Sequence, residues 1–376
     1  MRRVILLNPY SAGSHAQWAQ GLAREWPAAA ARCGGELEVE VFSLPGRHWK
    51  WRMHAAALVL VERMLESGAL NQVVDAFIVT DMLDVAQFRA ALPPGMRDVP
   101  VVVYFHENQL TFPPHPERPE VEWDRHYAWL NLTSAWLADA VWFNSHYHRQ
   151  IFLEAVPAFI SSFPSPRPRN AAERIAKKSN VVRIGLENDV LEAGKLDLPG
   201  CFDAGPPVVV WNHRWEYDKG PAAFLSCLDA AVAAGLDFRL AVMGQSFDRV
   251  PAEFAQMKER HAHRILVWGH RELRREYVEV LRSADLALVT AHHDFFGISV
   301  LEAAAAGLGV IAPNELAYPE HFGDESLHDR QALEAAFLDA LIRPPASLAH
   351  AAENYAWNQV AQEAWKAVLM VWNGLD

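Results

Sequence analysis

The sequence predicts an α/β protein with two Rossmann-like domains that face each other across a cleft. Three observations lead to this prediction. The chain has 376 residues, which is more than one ordinary hydrophobic core accommodates. Short apolar segments alternate with helical stretches, a pattern typical of parallel sheets covered by helices on both faces. These segments form two series, one in each half of the chain.

Each series consists of short apolar segments that we predict to be strands. Those of the first half are residues 4–8, 36–42, 73–79, 99–106 and 138–144. Those of the second half are residues 206–212, 238–244, 264–269, 284–290 and 308–313. Ligands of open parallel sheets bind beyond the carboxyl ends of the strands. We therefore expect the functional residues in the loops that follow these strands.

A segment rich in proline, serine and basic residues, 161–180, separates the two series. It predicts an N-terminal domain over residues 1–180 and a C-terminal domain that begins at 181. The net charge of −12 is divided unevenly. Residues 1–185 contain 19 Lys and Arg against 18 Asp and Glu (+1), and residues 186–376 contain 15 against 28 (−13). The first half can therefore still accept an anionic macromolecule.

The cysteines and the apolar runs indicate the cellular setting. Cys33, Cys201 and Cys227 lie far apart without metal-binding spacing, which argues against disulfides or a zinc site and favours a reducing compartment. The apolar run Val4–Leu7 is shorter than the ~7–15 residues of a signal peptide. No run approaches the ~20 apolar residues of a membrane span. We expect a cytoplasmic protein without stable membrane association.

The loop after the first strand of the second series contains two cations. Arg214 and Lys219 lie there, just before a helix that we predict to begin at Pro221. Two cations at a helix N-terminus favour a diphosphate, because the helix dipole and the free amide groups add to the side-chain charges. The alternative is a pair of surface cations, with Arg214 paired to Glu216 or Asp218.

The loop after the fourth strand of that series has an acid on each side of a glycine. Asp294 precedes Gly297, and Glu302 lies within the helix that follows. The amides of Gly297, Ile298 and Ser299 can hold a phosphate, and the carboxylates can accept hydrogen bonds from hydroxyls on either side of a diphosphate. A nucleotide sugar has this layout. Alone, either acid would be read as a helix-dipole partner or a solvated residue.

Three stretches of the first half are candidates for binding the sugar or the acceptor. One is a strand end with three polar residues: His106, Glu107 and Asn108. A single histidine is more often a core or capping residue than a catalyst. A second is the loop at Gly13, where Ser14 and Gln17 have the spacing of a capping box. Its free amide groups can contact donor phosphate or acceptor.

The third stretch interleaves cations with tryptophans. Its residues are Arg47, His48, Trp49, Lys50, Trp51 and Arg52. Aromatic faces among cations suit unstacked bases and their phosphates. The alternative is a helix start whose tryptophans pack inward while its cations extend to solvent.

Together these motifs resemble a known family over nearly the whole chain. Asp294-x7-Glu302, Arg214 with Lys219-Gly220, and the tail "YAWNQVAQEAWKAVL" are similar to retaining family-4 glycosyltransferases of the GT-B fold. The segments "GSH" (13–15), "HWKWR" (48–52), "YFHENQL" (104–110), "FNS" (143–145), "RWEYDKGP" and "AYPEHF" (317–322) resemble the tRNA-queuosine alpha-mannosyltransferases. That family usually has Glu at the position of Asp294, a side chain one methylene longer.

The resemblance implies a donor, an acceptor and roles for the site residues. The donor would be GDP-mannose, and the acceptor would be queuosine in the anticodon loop of tRNA, at the wobble position. Asp294 would contact the hexose, Glu302 the ribose, and His106 would orient the hexose. Arg214, Lys219 and the 297–299 amides would stabilise the leaving GDP without a metal or other cofactor.

Further contacts follow from the same resemblance. Gly13 is expected at the donor, and residues 351–376 are expected to form a helix that packs back on the N-terminal domain. The expected acceptor contacts are Ser14, His15, His48, Trp49, Lys50, Trp51, Arg52, Glu107 and Asn108.

Two other functions stay compatible with the sequence. One is a family-4 transferase with a lipid or polysaccharide acceptor, because the tryptophan–cation stretch is also typical of a membrane-surface helix. The other is a catalytically inactive tRNA-binding module. The acids and cations at the strand ends argue against the second.

Overall fold

The computed structural model describes residues 1–113, 125–193, 205–246 and 249–374. The chain forms two units, Met1–Gly185 with the C-terminal segment from Trp357, and Leu186–Ala356. The chain therefore passes between the units twice, at 185/186 and at 356/357. The N-terminal boundary expected from the sequence lies five residues before the first crossing.

Within its described residues, the first unit contains a parallel sheet of six strands. The strands are β1 (Arg2–Ser11), β2 (Leu37–Pro45), β3 (Ala76–Thr80), β4 (Val101–Phe105), β5 (Ala140–Phe143) and β6 (Ser179–Val181). The order is β2-β1-β3-β4-β5-β6, and Leu6 of β1 pairs with Val41 on one side and Ile78 on the other. The connecting helices are α1 (Gly13–Arg32), α2 (Trp49–Glu66), α3 (Val85–Ala91), α4 (Arg125–Leu137), α5 (His146–Ser161) and α6 (Ala171–Lys177).

The second unit has a parallel sheet of the same size over the part of it that the structure describes. Its strands are β7 (Val208–Trp211), β8 (Arg239–Val242), β9 (Ile265–Trp268), β10 (Leu286–Leu288), β11 (Gly309–Pro313) and β12 (Leu327–His328). Its helices are α7 (Asn188–Ala193), α8 (Pro221–Ala233), α9 (Ala252–Arg260), α10 (Arg274–Arg282), α11 (Ile298–Ala305), α12 (Leu333–Ile342) and α13 (Ala349–Ala352). The order is β12-β11-β10-β7-β8-β9, so the direction of winding reverses between β7 and β10. Ligands of such sheets bind at this switch point.

A final helix, α14 (Trp357–Asn373), packs on α1 of the first unit. The packing requires glycine at two positions. A Cβ atom at Gly21 of α1 would lie 2.1 Å from the Trp357 ring, and a Cβ atom at Gly185 would lie 2.2 Å from it. Trp18 and Trp26, two turns apart on α1, are fully buried, as their helical spacing predicts. The Trp357 ring of α14 therefore packs directly on the backbone of Gly21 and Gly185.

The apolar segments located the strands well, with two exceptions. All ten predicted strands are present, but β6 and β12 were not predicted. β6 is three half-buried residues of mixed polarity, and β12 has only two residues. The helix at Pro221 begins where predicted. The segment 161–180, which the sequence suggested as a break, contains α6 and leads into β6.

The predicted capping box at Ser14 and Gln17 is wrong. Helix α1 begins at Gly13, so its cap position is Ala12, two residues before Ser14, and no side chain caps it. Gly13 takes a positive φ of 50° as the first helical residue, and Gln17 donates instead to the carbonyl of Gly185 at 3.4 Å.

Two further observations concern the cysteines and the helices. Cys33 and Cys227 are free thiols, and Cys201 lies outside the described residues. Over the segments that the structure describes, no helix is both long and apolar enough to cross a membrane.

Candidate active site

The loops after β7 and β10 interlock at the switch point of the second sheet. Gly220 has a φ of +69°, and a Cβ atom there would lie 2.1 Å from the carbonyl oxygen of Thr290. The hydroxyl of Thr290 donates to the carbonyl of Gly220 at 2.9 Å. The close approach therefore requires glycine at position 220, and it brings the two predicted site loops side by side.

Lys219 is the buried cation of this site. Its ammonium group donates to the carbonyl of His293 at 2.8 Å and lies 3.1 Å from Asp218 and 3.4 Å from Asp294. Burial opposes the charge of Lys219, but the Asp294 and Asp218 carboxylates outweigh it and raise its pKa. Burial likewise opposes ionisation of Asp294, but Lys219, with smaller contributions from His213, His293 and the Phe296 N–H, outweighs burial and lowers that pKa to about 2. The ion pair is therefore present at neutral pH.

Asp294 also shapes the start of α11. Its Oδ1 accepts from the backbone N–H of Gly297 at 2.8 Å and of Phe296 at 3.3 Å. The hydroxyl of Tyr318 donates to its Oδ2 at 3.4 Å. Gly297 has a φ of +81°, and a Cβ atom there would lie 2.8 Å from the Tyr318 ring. Asp294 thus fixes the turn that exposes the N-terminal amides of α11, which begins at Ile298.

Ser299, in the first turn of α11, is tied to the β7 loop. Its hydroxyl lies 3.0 Å from Nδ1 of His213, and its carbonyl accepts from Asn212 Nδ2 at 2.7 Å. Burial lowers the pKa of His213 to about 4, so this imidazole is neutral at neutral pH. The helix start and the predicted phosphate-binding loop are thereby held together.

Arg214 adopts the arrangement that the sequence left as its alternative. Its guanidinium pairs with Glu216 at 3.1 Å, and its side chain is 44% exposed. Exposed ion pairs contribute little, typically about 0–1 kcal/mol. Reorienting Arg214 toward a phosphate therefore has a small cost.

Glu302 is a buried carboxylate with fixed partners. Its Oε1 accepts from Arg274 at 2.7 Å, and its Oε2 accepts from the Tyr277 hydroxyl at 2.7 Å. Both partners lie on α10. Contact between Glu302 and a ribose stays a prediction.

His106 lies in a cluster of rings at the carboxyl end of β4. It stacks on His15 with ring centroids 4.0 Å apart, and Trp18 and Tyr104 contact its edges. Burial lowers its pKa well below the usual 6.5, so the ring is neutral. Within the described ranges neither ring nitrogen has a hydrogen-bond partner. Both nitrogens have almost no exposed surface, so a hydrogen bond to a ligand requires the surrounding side chains to shift.

Side chains hold the backbone of His106 on both sides. Its N–H donates to Asp81 Oδ1 at 2.9 Å, and its carbonyl accepts from Asn144 Nδ2 at 2.9 Å. Asn144 Oδ1 accepts from His148 Nδ1 at 2.8 Å, and His148 Nε2 accepts from Asn108 at 2.9 Å.

Asn108 has no exposed surface, and its Oδ1 accepts from the N–H groups of Leu110 and Thr111 at 2.9 Å. An acceptor contact would require this buried network to open. We therefore correct its predicted role from acceptor contact to positioning of the loop. The neighbouring Glu107 is half-buried and accepts from Gln109 at 3.3 Å.

The tryptophan–cation stretch combines the two alternatives that the sequence offered. Trp49 is the first residue of α2 and packs half-buried against Tyr127, with ring centroids 5.0 Å apart. Lys50 lies over both rings, at 5.5 and 5.3 Å. Trp51 is 61% exposed, and Arg52 donates to the carbonyl of Pro45 at 3.3 Å.

His48, before α2, has a positive φ of 55° and is exposed. Gly13 is exposed, Ser14 is half-buried and His15 is buried at the start of α1. The exposed members of this group offer an aromatic face beside cations, whereas His15 belongs to the His106 cluster.

Sequence reasoning missed the side chains that support these residues. Asn144 and His321 lie in motifs that were recognised, but nothing in their spacing indicates what they contact. His321 Nε2 lies 2.5 Å from the carbonyl of Phe296 and its Nδ1 2.6 Å from the Tyr355 hydroxyl. Arg274 and Tyr277 gave no signal, because polar residues on a helix are usually a solvated face.

The two sheets and the donor-type site define a class of protein, and comparisons identify it. Sucrose-phosphate synthase from Thermosynechococcus elongatus matches with a TM-score of 0.67 and 15% identity, over 100% of both chains. Anabaena HepE in complex with UDP matches with a TM-score of 0.61 and 16% identity, over 98% of this chain and 100% of that one. The chain is thus a two-domain α/β protein of the GT-B glycosyltransferase fold.

Sequence comparisons narrow the class to a family. Residues 3–186 match the family described as tRNA-queuosine alpha-mannosyltransferase N-terminal, and residues 201–356 match glycosyl transferases group 1. The Drosophila melanogaster tRNA-queuosine alpha-mannosyltransferase is 30% identical over 330 residues, 87% of this chain and 83% of that protein. The chain belongs to the tRNA-queuosine alpha-mannosyltransferase family and is a hexosyltransferase.

Proposed function

We propose that this enzyme transfers mannose from GDP-mannose, with retention, to queuosine at the wobble position of tRNA in the cytoplasm. The observation that supports it most is the convergence of Lys219, Asp294 and the N-terminus of α11 at the switch point of the second sheet. Family membership supports the acceptor, because the Drosophila relative is named for queuosine in tRNA.

The proposed donor site separates the parts of the nucleotide sugar. Lys219, Arg214 and the amides of Ile298 and Ser299 face the diphosphate and stabilise the charge that develops on departing GDP. The expected contribution of the Gly297 amide is corrected, because its N–H already donates to Asp294. Asp294 accepts hydrogen bonds from the hexose hydroxyls, and Glu302 accepts them from the ribose. In this proposal the positive charge comes from side chains and a helix start rather than from a metal ion.

The proposed chemistry is a front-face substitution at the anomeric carbon. The bond from that carbon to the phosphate oxygen breaks as the acceptor hydroxyl oxygen bonds from the same face. The hydroxyl proton moves to the departing phosphate oxygen, which yields GDP and the α-mannoside. The neutral ring of His106 orients the hexose, and Asp81 and Asn144 fix its backbone.

The proposed acceptor surface consists of His48, Lys50, Trp51 and Arg52 at the start of α2. Trp51 exposes most of its ring, which suits stacking on an unpaired base, and the cations suit neighbouring phosphates. Loops at the ends of two other strands of this unit also contain expected contacts: Gly13 and Ser14 follow β1, and Glu107 follows β4.

Mass spectrometry of tRNA nucleosides tests this function. The enzyme is incubated with queuosine-containing tRNA and, separately, GDP-mannose, GDP-glucose, UDP-glucose or UDP-galactose. We expect one hexosyl residue on queuosine with GDP-mannose alone, and we expect α-mannosidase but not β-mannosidase to remove it. Asp294→Asn is the control for site-dependent transfer. Parallel reactions contain a lipid extract instead of tRNA, and hexose transfer only to lipid would select the lipid-acceptor alternative. Binding of tRNA without hexose transfer would select the inactive tRNA-binding module.

A further inference from the structure

Two residues of α10 hold the carboxylate of Glu302 from both sides. The hydroxyl of Tyr277 donates to Oε2 at 2.7 Å, and the guanidinium of Arg274 donates to Oε1 at 2.7 Å. Glu302 itself is only 6% exposed. Each oxygen therefore has a fixed donor, and α10 sets the orientation of the group.

The direction of the Tyr277 hydrogen bond follows from Asn212. The Nδ2 group of Asn212 donates to the carbonyl of Ser299 at 2.7 Å and to the Tyr277 oxygen at 3.1 Å. A carbonyl only accepts, so the Asn212 atom that faces Ser299 is the amide nitrogen. The phenol oxygen accepts from Asn212, and its own hydrogen is directed at Glu302. Burial, then the charge of Glu302, raises the pKa of Tyr277 well above 10, so the hydroxyl keeps this hydrogen.

The charged residues Glu302, Arg274 and Asp189 together carry a net negative charge. Arg274 also pairs with Asp189 of α7, with Nε 3.1 Å from Oδ2 and Nη2 3.2 Å from Oδ1. The guanidinium of Arg274 thus donates to two carboxylates. Each oxygen of Glu302 has a second lone pair, and hydrogen bonds to a charged acceptor are strong. Two neighbouring oxygens of this kind match two hydroxyls on adjacent carbons.

We propose that Arg274 and Tyr277 are positioning residues that present Glu302 to the two adjacent ribose hydroxyls of the donor nucleotide. Through this arrangement α10 makes the site selective for ribonucleotides over deoxyribonucleotides. The inference rests on the proposed donor role of Glu302. A deoxy ligand leaves the buried carboxylate without its hydroxyl partners, and sites built to bind a hydroxyl reject analogues that lack it.

Calorimetric titration with a matched pair of ligands tests the proposal. GDP, UDP and ADP have the same ribose, so the ligand is whichever of the three binds the wild type most tightly. It is compared with its own 2′,3′-dideoxy analogue. One variant is Tyr277→Phe, which removes the hydroxyl that donates to Glu302. The other is Arg274→Lys, which keeps the positive charge but removes the planar guanidinium that contacts both Glu302 and Asp189. Arg275→Lys, at the exposed next position of α10, is the control. Melting curves confirm that each variant is folded.

We expect the wild type to prefer the ribonucleotide by at least about tenfold, the scale of one charged hydrogen bond. Tyr277→Phe and Arg274→Lys should each reduce that preference by roughly 3–10-fold, through weaker binding of the ribonucleotide alone. Arg275→Lys should leave it unchanged.

Several results would overturn the proposal. The first is a wild type that binds no nucleoside diphosphate, and the second is a wild type without preference for the ribonucleotide over its dideoxy analogue. The others are a preference that is unchanged in both α10 variants, and variants that bind both ligands equally more weakly. Failure to mannosylate queuosine is a separate result, because this titration requires neither tRNA nor a sugar.

Discussion

Replacing Lys219 by Met removes the buried cation that lies between Asp218 and Asp294. The ammonium is 3.4 Å from Asp294, which at an effective dielectric constant of ~20 corresponds to an attraction of roughly 5 kcal/mol. Burial of both groups offsets part of this attraction. The pKa of Asp294, about 2 instead of 3.8, is the balance between burial, which raises it, and Lys219 with its smaller neighbours His213, His293 and the Phe296 N–H, which lower it. That difference corresponds to roughly 2 kcal/mol.

A double-mutant cycle measures this interaction. Asp294→Asn keeps an oxygen that can accept from the Gly297 N–H, so it removes the charge and retains the turn. We expect Lys219→Met to lower the free energy of unfolding by about 3–5 kcal/mol, because it leaves buried carboxylates without their cation. Adding Asp294→Asn should restore roughly 2 kcal/mol of that loss.

The assay is urea unfolding of the four proteins, followed by fluorescence and circular dichroism. Additive losses, with a coupling energy below about 0.5 kcal/mol, would mean that Lys219 and Asp294 do not stabilise each other. In the transfer assay Lys219→Met should lower turnover by roughly 10²–10³, and Asp294→Asn should lower transfer while leaving GDP affinity almost intact. Loss of GDP binding in Asp294→Asn would mean that the two acids have exchanged roles.

Three further predictions follow from the same geometry. Arg214→Ala should lower turnover by roughly 10²–10³ without changing the melting temperature, since its ion pair is exposed; a near-normal rate would remove its diphosphate role. Burial lowers the pKa of His213 and of His293 to about 4, so the unfolded chain binds more protons between pH 6.5 and 4. The free energy of unfolding is therefore unaffected by these histidines above pH 6.5 and declines as the pH falls toward 4. His293→Gln should flatten the accompanying decline in melting temperature, and an identical decline in the wild type and the variant would contradict this. Arg52→Ala should reduce the slope of log tRNA affinity against log salt by about one, whereas Trp51→Ala should cost about 1–3 kcal/mol at any salt and leave the slope unchanged; wild-type affinity in both would remove this acceptor surface.

The sequence predicts the strands and the donor loops because both depend on local patterns. A buried parallel strand is a short apolar run, and α11 begins at a glycine after an acid. The sequence does not predict β6 and β12, because segments of two or three residues are too short to show an apolar pattern. The capping box failed because Gly13, with its positive φ, begins α1 one residue before Ser14.

The supporting side chains could not be predicted, because their partners are distant along the chain. Asp81 holds the backbone of a residue 25 positions away, and Tyr277 meets a carboxylate 25 positions away. Spacing within a motif says nothing about such pairs. The sequence leaves open both a diphosphate role for Arg214 and its pairing with Glu216, because the two opposite charges lie only two residues apart.

The most direct test of the proposed function is a competition between two acceptors in one reaction. Two anticodon stem-loops, identical except for queuosine or guanosine at the wobble position, are mixed with isotope-labelled GDP-mannose and the wild-type enzyme. Digestion and mass spectrometry then locate the label. We expect labelled mannose on queuosine and none on the guanosine stem-loop. Label on both stem-loops, or on neither, would contradict the proposed acceptor.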